Sequence, residues 1–351
     1  MLFGFTKDMG IDLGTANTLV YVQDKGIVLN EPSVIACENY SKKIIAVGFP
    51  AKEMLGKAPD TISVVRPLQD GVISDFDMTM EMLRAFINKA LIKSKTKANK
   101  FRVVVGVPTG ITEVEKRAVE EVARAMGAKE VYILEEPMAA AIGSGLKVDD
   151  PMGCMVVDIG GGTTDIAIIA LGGIVASTSI RHAGDKFNDA IVAYMRKTYS
   201  LLIGERTAED LKLNIGCAMV EHGEDGREVL DTREARGRDL VTGLPKVIQV
   251  TSKDMYFALK ESVDLVVDGI KATLEKAPPE IAADITINGL VLSGGGGMIK
   301  NLDKLIEEQT GMKVEVAENA FEAVALGTGI SLKNTEALKR YAAANIHHKY
   351  K

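Results

Sequence analysis

The chain carries an internal repeat, and that repeat limits the folds open to it. Ile11–Val22 reads IDLGTANTLVYV, and 146 residues later Val157–Ile168 reads VDIGGGTTDIAI, so that Asp12 falls on Asp158, Gly14 on Gly160 and Thr18 on Thr164. In both copies an apolar run ends in Asp, a glycine-bearing turn follows and a β-rich run leaves. That is the signature of a strand–turn–strand hairpin built twice. Both copies continue into alternating strand and helix signals, the mark of layered α/β or α+β units. At 351 residues the chain exceeds one ordinary core and suits two domains.

Local signals fill in the halves. Residues 33–75 read as short strands and turns inserted in the first half. Phe101–Val107 is an apolar strand, Thr112-Glu113-Val114-Glu115 is a capping box opening a helix that ends near Met126, and Gly127 supplies its stop. Val131–Leu134 is the next strand, and Pro137 suits the first turn of another helix. In the second half Gly184–Tyr199, Ala208–Ile215, Ser252–Lys276, Asn301–Thr310 and Ala320–Ser331 read as helices. Residues 221–250 read as hairpins turning at Asp225-Gly226 and Thr242-Gly243. Past Leu332 a helix is expected to run on to about Ala344.

Apolar residues at 46% and charged residues at 26% are those of a soluble globular protein. The net charge of −6 suits no nucleic-acid partner. Positive charge is concentrated in 93–102 (KSKTKANKFR, +5) and in 333–351 (+4), which leaves −15 on the rest. Two basic segments on an acidic body point to local contact with an anionic surface. Cys37, Cys154 and Cys217 are too scattered for a disulfide framework or a CxxC metal pair, so a reduced, cytoplasmic setting is expected. No apolar run is long enough to cross a bilayer, and Met1–Phe5 is too short for a signal peptide.

The glycine-bearing turns carry the chemistry. In Asp12–Thr18 the glycine lets backbone N–H groups close on an oxyanion, with Thr15, Ala16, Asn17 and Thr18 beside it. Asp158–Asp165 repeats this with Gly160, Gly161, Gly162 and Thr163. Two such turns suit a polyphosphate held between domains. Asp12 and Asp158 at the strand ends suit a Mg²⁺ ion contacted through water. A third run, Ser293–Gly297, follows an apolar strand and offers Gly294, Gly295 and Gly296 as a flat surface for a purine. Glu209 and Lys212 share a helix face and suit ribose and base contacts.

These three runs resemble the two phosphate loops and the adenosine loop of the actin, Hsp70 and sugar-kinase superfamily. Gly10–Val20, Glu31-Pro32-Ser33-Val34, Glu135–Gly143 (EEPMAAAIG), Asp158–Ile166, Arg236–Pro245 (RGRDLVTGLP) and Leu326–Gly329 resemble the MreB bacterial actins in particular, over residues 8–332. The resemblance implies an actin-like, ribonuclease H-like duplicated ATPase fold of class α/β. Its first core unit would comprise 1–32 and 73–152, with 320–351 packing back on it, and its insert 33–72. The second core unit would comprise 153–183 and 251–319, with 184–250 inserted. It implies ATP or ADP with Mg²⁺ in the cleft, with Glu136 orienting the attacking water and Thr163 assisting, and slow hydrolysis. It further implies a homopolymer of paired protofilaments at the inner face of the cell membrane, with cell-shape membrane proteins as partners. Asn214 stands where relatives of this kind often have Glu, in the nucleotide-contacting helix. The loop before Phe101 is basic where they carry an apolar dipeptide, so membrane contact through 93–102 and 333–351 is expected to be electrostatic. A sugar-type kinase and a non-hydrolysing nucleotide-binding scaffold share the fold. No acceptor-sugar segment is visible, and Glu136 and Thr163 together argue for hydrolysis. An Hsp70-type chaperone would need a further domain after Leu332.

Overall fold

A computed structural model describes residues 8–95, 101–334 and 336–341. Its first half contains β1 (Met9–Leu13), β2 (Asn17–Val22), β3 (Gly26–Pro32), β4 (Ile35–Glu38), β5 (Ile44–Val47), α1 (Phe49–Lys52), β6 (Ile62–Val65), β7 (Leu68–Gln69), β8 (Val72–Ile73), α2 (Phe76–Ser94), β9 (Phe101–Val107), α3 (Glu113–Ala125), β10 (Ala128–Glu135) and α4 (Glu136–Gly143). The second half contains β11 (Cys154–Ile159), β12 (Thr164–Ala170), β13 (Gly173–Ile180), α5 (Gly184–Tyr199), β14 (Leu201–Leu202), α6 (Glu205–Ile215), β15 (Glu221–His222), β16 (Glu228–Val229), β17 (Thr232–Asp239), β18 (Pro245–Thr251), α7 (Ser252–Glu275), α8 (Pro279–Asn288), β19 (Leu290–Ser293), α9 (Leu302–Thr310), β20 (Val314–Val316) and α10 (Ala323–Ser331).

The repeat read in the sequence is a repeat of whole sheets. One five-stranded sheet runs β3-β2-β1-β9-β10 and the other β13-β12-β11-β19-β20. In each, three antiparallel strands lead to two parallel ones. Asp12 and Asp158 therefore occupy equivalent places, near the ends of the central strands β1 and β11. Both central strands are almost wholly buried, as strands covered on both faces must be. Between β3 and α2 a small sheet, β5-β4-β6, and the β7–β8 hairpin are inserted; between α5 and α7 lies the β14-β17-β18 sheet.

Local chemistry sets the helix ends. Thr112 and Glu115 form the expected capping box of α3, with the Thr112 N–H donating to Glu115 Oε2 at 2.7 Å. Thr251 and Asp254 form another at α7. Helix α2 was not read from the sequence. Asp75 caps it by accepting from Met78 N at 3.0 Å, and Met82, Leu83, Phe86, Ile87 and Ala90 form its buried stripe. Helix α6 begins at Glu205, three residues before the expected Ala208, and Pro279 opens α8 where only a helix stop was expected.

Two glycines let α4 and α10 cross closely. A Cβ on Gly143 would lie 1.8 Å from Ala323 O, and one on Gly327 would lie 1.8 Å from Ala139 O. Glu136 is the first residue of α4, so this crossing holds the helix that presents it.

The basic segments depart from their expected form. Residues 93–102 are not one loop. Lys93 lies in the last turn of α2, and Arg102 lies in β9, where its backbone N–H donates to Asp8 Oδ1 at 3.1 Å and its Nε to Asp8 Oδ2 at 2.9 Å. That fork-like pairing removes Arg102 from any free cationic patch; residues 96–100 lie outside the described residues. In the tail the chain turns at 332–334 and forms a short helix over 336–341. Ala337, Leu338 and Tyr341 are buried against α4, β11 and β12, and Tyr341 Oη donates to Asp149 Oδ2 at 2.8 Å. The expected continuation to Ala344, the rest of the tail and Met1–Phe5 lie outside the described residues.

Candidate functional site

A cleft of about 550 Å³ opens between the two halves. Its volume is that of small-molecule sites. Asp12, Gly14, Thr15, Ala16, Asn17, Glu136, Asp158, Gly160, Gly161, Gly162, Thr163, Glu209, Lys212, Asn214, Gly294, Gly295 and Gly296 all line it. Of the site residues expected from the sequence, all but Thr18 are thus brought to one cavity.

At the floor the two glycine-bearing loops touch. A Cβ on Gly161 would lie 2.5 Å from Ala16 Cβ, and one on Gly162 would lie 2.6 Å from Thr15 Oγ1. Neither position has room for a side chain, so backbone faces the cavity there. Ser33 braces the first loop by donating its N–H to Ala16 O at 2.9 Å and its Oγ–H to Gly14 O at 2.7 Å. The second loop is tied to the start of α5, where Gly184 N donates to Gly160 O at 3.1 Å and Asp185 N to Gly161 O at 2.8 Å. Thr18 is a correction. It is wholly buried beside Ser33, with the two hydroxyl oxygens 2.9 Å apart, and does not line the cleft. Asn17 does line it, but its Nδ2 already donates to Asn30 Oδ1 at 2.8 Å.

Four carboxyl groups gather at this floor. Burial, then the charge of Asp158, pushes Asp12 up to about 8. Burial also pushes Asp158 up to about 7, against the opposing hydrogen bond donated by Ser293 Oγ to Asp158 Oδ1 at 2.6 Å. Glu136 is raised well above the carboxylate range by burial and then by Asp165, Asp12 and Asp158. Burial raises Asp165 as well, although Thr109 N donates to its Oδ1 at 3.1 Å. A crowd of buried carboxyls strains against ionisation unless positive charge joins it. Among the described residues no group of three or more His, Cys, Asp or Glu is arranged to ligate a metal directly. The buried carboxyls do not make an all-protein cage for a metal ion; any cation joining Asp12 and Asp158 would have to keep most of its waters or other ligands.

The other end of the cleft is apolar and glycine-walled. Gly294 adopts φ +76°, and a Cβ there would meet Ile159 O at 2.3 Å. Its N–H donates to Ala320 O at 2.8 Å, which seats the turn after β19. Leu213, Met298 and Phe321 stand in the mouth with 72%, 60% and 39% of their surface exposed, a costly arrangement unless something apolar covers them. Sequence reading missed these three, together with Asp185, Asn188 and Gly71. Only the Asp70-Gly71 turn signal, the dipeptide before β8, had a legible trace. Asn214 Nδ2 turns back to Asp210 O at 2.7 Å, within its own helix.

Charged side chains close the mouth from opposite sides. Lys52, at the end of α1, pairs with Glu209 Oε2 at 2.8 Å, and Arg66 pairs with Glu205 and, at 3.6 Å, with Asp185. Glu209 is thereby already engaged. Lys212 Nζ donates to Gly184 O at 2.8 Å, and burial lowers its pKa.

Residues 6–340 match the family model "MreB/Mbl protein". The chain belongs to the MreB/Mbl family. It is 48% identical over 336 residues to the cell shape-determining protein Mbl of Bacillus subtilis (strain 168), covering 96% of this chain and 98% of that one. It is likewise 48% identical over 333 residues to the cell shape-determining protein MreB of Escherichia coli (strain K12), covering 94% of each. Among solved structures, MreB5 of Spiroplasma citri bound to ADP superposes with a TM-score of 0.88 at 37% identity, covering 96% of this chain and 98% of that one. The fold is therefore the actin-like one that the paired loops implied.

Proposed function

We propose that this MreB/Mbl-family chain binds ATP or ADP with Mg²⁺ in the cleft, hydrolyses ATP slowly and polymerises into filaments that support cell shape. The observation carrying this reading is the meeting of two glycine-walled loops, Asp12–Asn17 and Asp158–Thr163, over a set of buried carboxyls. A polyphosphate would fit there because Gly161 and Gly162 carry no side chain and leave backbone open to close approach. Mg²⁺ would neutralise phosphate charge, with Asp12 and Asp158 accepting hydrogen bonds from its waters.

Glu136 would be the residue that handles water. It opens α4 beside the second loop, it is 7% exposed, and it is held by a helix with no slack. Its carboxylate would accept a hydrogen bond from the attacking water and orient it, with the Thr163 hydroxyl helping to fix that water. The purine would lie against Gly294–Gly296 and cover Met298, Phe321 and Leu213. In this reading residues 33–72 and 184–250 are the jaws that close over nucleotide.

Assembly is supported by family membership and by the β17–β18 hairpin tip, where Leu240, Val241 and Leu244 are exposed at 43%, 83% and 65%. Among the described residues no helix is long and apolar enough to cross a membrane. Contact with an anionic membrane, and with membrane proteins of cell shape, would be peripheral, through the lysines of 93–100 and the basic residues of 333–351. The test is sedimentation with Mg²⁺·ATP, with and without anionic liposomes, in parallel with phosphate release. Wild type should pellet and release phosphate, and Glu136→Ala should pellet and release little. ATP turnover without any pellet would end the filament reading and point to a small-molecule kinase.

A further inference from the structure

The wall of the cleft formed by α5 and α6 presents five polar side chains: Asp185, Asn188, Glu209, Lys212 and Asn214. Four are already engaged, Asn214 by donating its Nδ2 to Asp210 O at 2.7 Å. Lys212 Nζ donates to Gly184 O at 2.8 Å, Glu209 is paired with Lys52 at 2.8 Å, and Asp185 lies 3.6 Å from Arg66. Asn188 is different. It is 4% exposed, it lines the cleft, and its Oδ1 is buried with no hydrogen-bond partner. A buried carbonyl left unpaired costs free energy, and native structures keep few of them.

The placement of Asn188 limits what can pair with it. It lies four residues beyond Gly184, on the same face of α5, and helical side chains lean toward the helix N-terminus. The amide therefore leans toward the segment where Gly184 and Asp185 bond to the second phosphate loop. Phosphate oxygens only accept hydrogen bonds, so they cannot satisfy Oδ1. A sugar hydroxyl can, and it can also accept from the amide Nδ2. The purine and phosphate ends of the cleft flank this wall.

We infer that Asn188 recognises a ribose hydroxyl and so sets preference for ribonucleotides over deoxyribonucleotides. The inference rests on the nucleotide reading above and names a residue within it. It also moves the main sugar contact from Glu209, which the Lys52 ion pair occupies, to Asn188. A neutral hydrogen bond to an otherwise unpaired buried group corresponds to roughly a tenfold difference in affinity.

The experiment is calorimetric titration of the full chain with Mg²⁺ and ADP, 2′-deoxy-ADP or 3′-deoxy-ADP. Wild type should bind ADP about tenfold tighter than at least one of the deoxy analogues. Asn188→Ala should weaken ADP to the level of that analogue and leave the analogue unchanged. Asn188→Asp, which keeps an acceptor in place, should preserve the ratio even if added negative charge lowers all three affinities together. Equal binding of all three by wild type overturns the inference and leaves nucleotide binding intact. So does a parallel loss of all three in Asn188→Ala, the pattern of a merely structural residue. Failure of wild type to bind any of them overturns the nucleotide reading, and this inference with it.

Discussion

Replacing Gly327 by Ala tests whether the crossing of α4 and α10 holds the Glu136 end of the cleft. The new Cβ would lie 1.8 Å from Ala139 O and 2.6 Å from Ala139 C, both backbone atoms of the opposing helix. No side chain can rotate away to relieve the contact. Reaching even 3.0 Å requires the helices to part by 1.2 Å at that point. Packed interiors resist such shifts, and overpacking costs about 1–3 kcal/mol, with this backbone-to-backbone case at the upper end. For 351 residues the unfolding entropy is roughly 0.7 kcal/mol/K, so about 3 kcal/mol lowers the melting temperature by about 4 °C. The functional effect should be larger. Glu136 begins α4, and a displacement of about 1 Å at a reacting centre costs on the order of 100-fold in rate. Gly173→Ala is the control, because its Cβ would meet nothing closer than 3.9 Å and its φ is ordinary. Thermal melts by circular dichroism and phosphate release would be measured on both variants. Equal melting temperatures and equal rates for the two would refute the argument that this crossing has no slack.

Two further outcomes follow from side chains in the same structure. Lys52→Met with Arg66→Met should speed release of a fluorescent nucleotide by up to about 30-fold, since each of the two partly exposed pairs contributes at most about 1 kcal/mol; release unchanged in the double variant and insensitive to salt would mean that the mouth is not held by these charges. Burial pushes the Cys154 and Cys217 thiols up to about 11, from 9.0. A raised folded-state pKa stabilises the fold below the unfolded value and loses that contribution as pH rises, so these two thiols should erode stability between about pH 9 and 11. At pH 8 both should resist iodoacetamide until urea unfolds the chain, and rapid labelling of the native protein would contradict their burial.

What the sequence disclosed depended on periodicity and on glycine. The repeat at Asp12 and Asp158 was legible because each copy combines a strand ending in Asp with a turn that only small residues permit, and the structure extends it to two sheets of one topology. The glycines of both loops and of Ser293–Gly297 were legible for the same reason. Long-range pairing was not legible. Nothing local says that Lys52 meets Glu209, 157 residues away, or that Asn188 lacks a partner. Met298 and Phe321 read as ordinary apolar residues until the fold left them exposed beside Gly295. The basic run 93–102 was misread as one loop because charge was weighed above the α2 stripe preceding it and the β9 strand following it. Thr18 was misassigned because one residue of register in a strand decides which face a side chain takes.

The contact between the two loops also fixes where the molecule can bend. Gly161 against Ala16 and Gly162 against Thr15 leave no gap at the floor, whereas among the described residues the mouth is spanned by long, partly solvated side chains. The protein is therefore built like tweezers, joined at one end and free at the other. A rotation about such a joint would move the floor loops least and the outer edges of the two inserts, where Tyr40 and Val241 are exposed, more. A neighbour gripping those edges would sense any opening of the cleft with the gain of a lever.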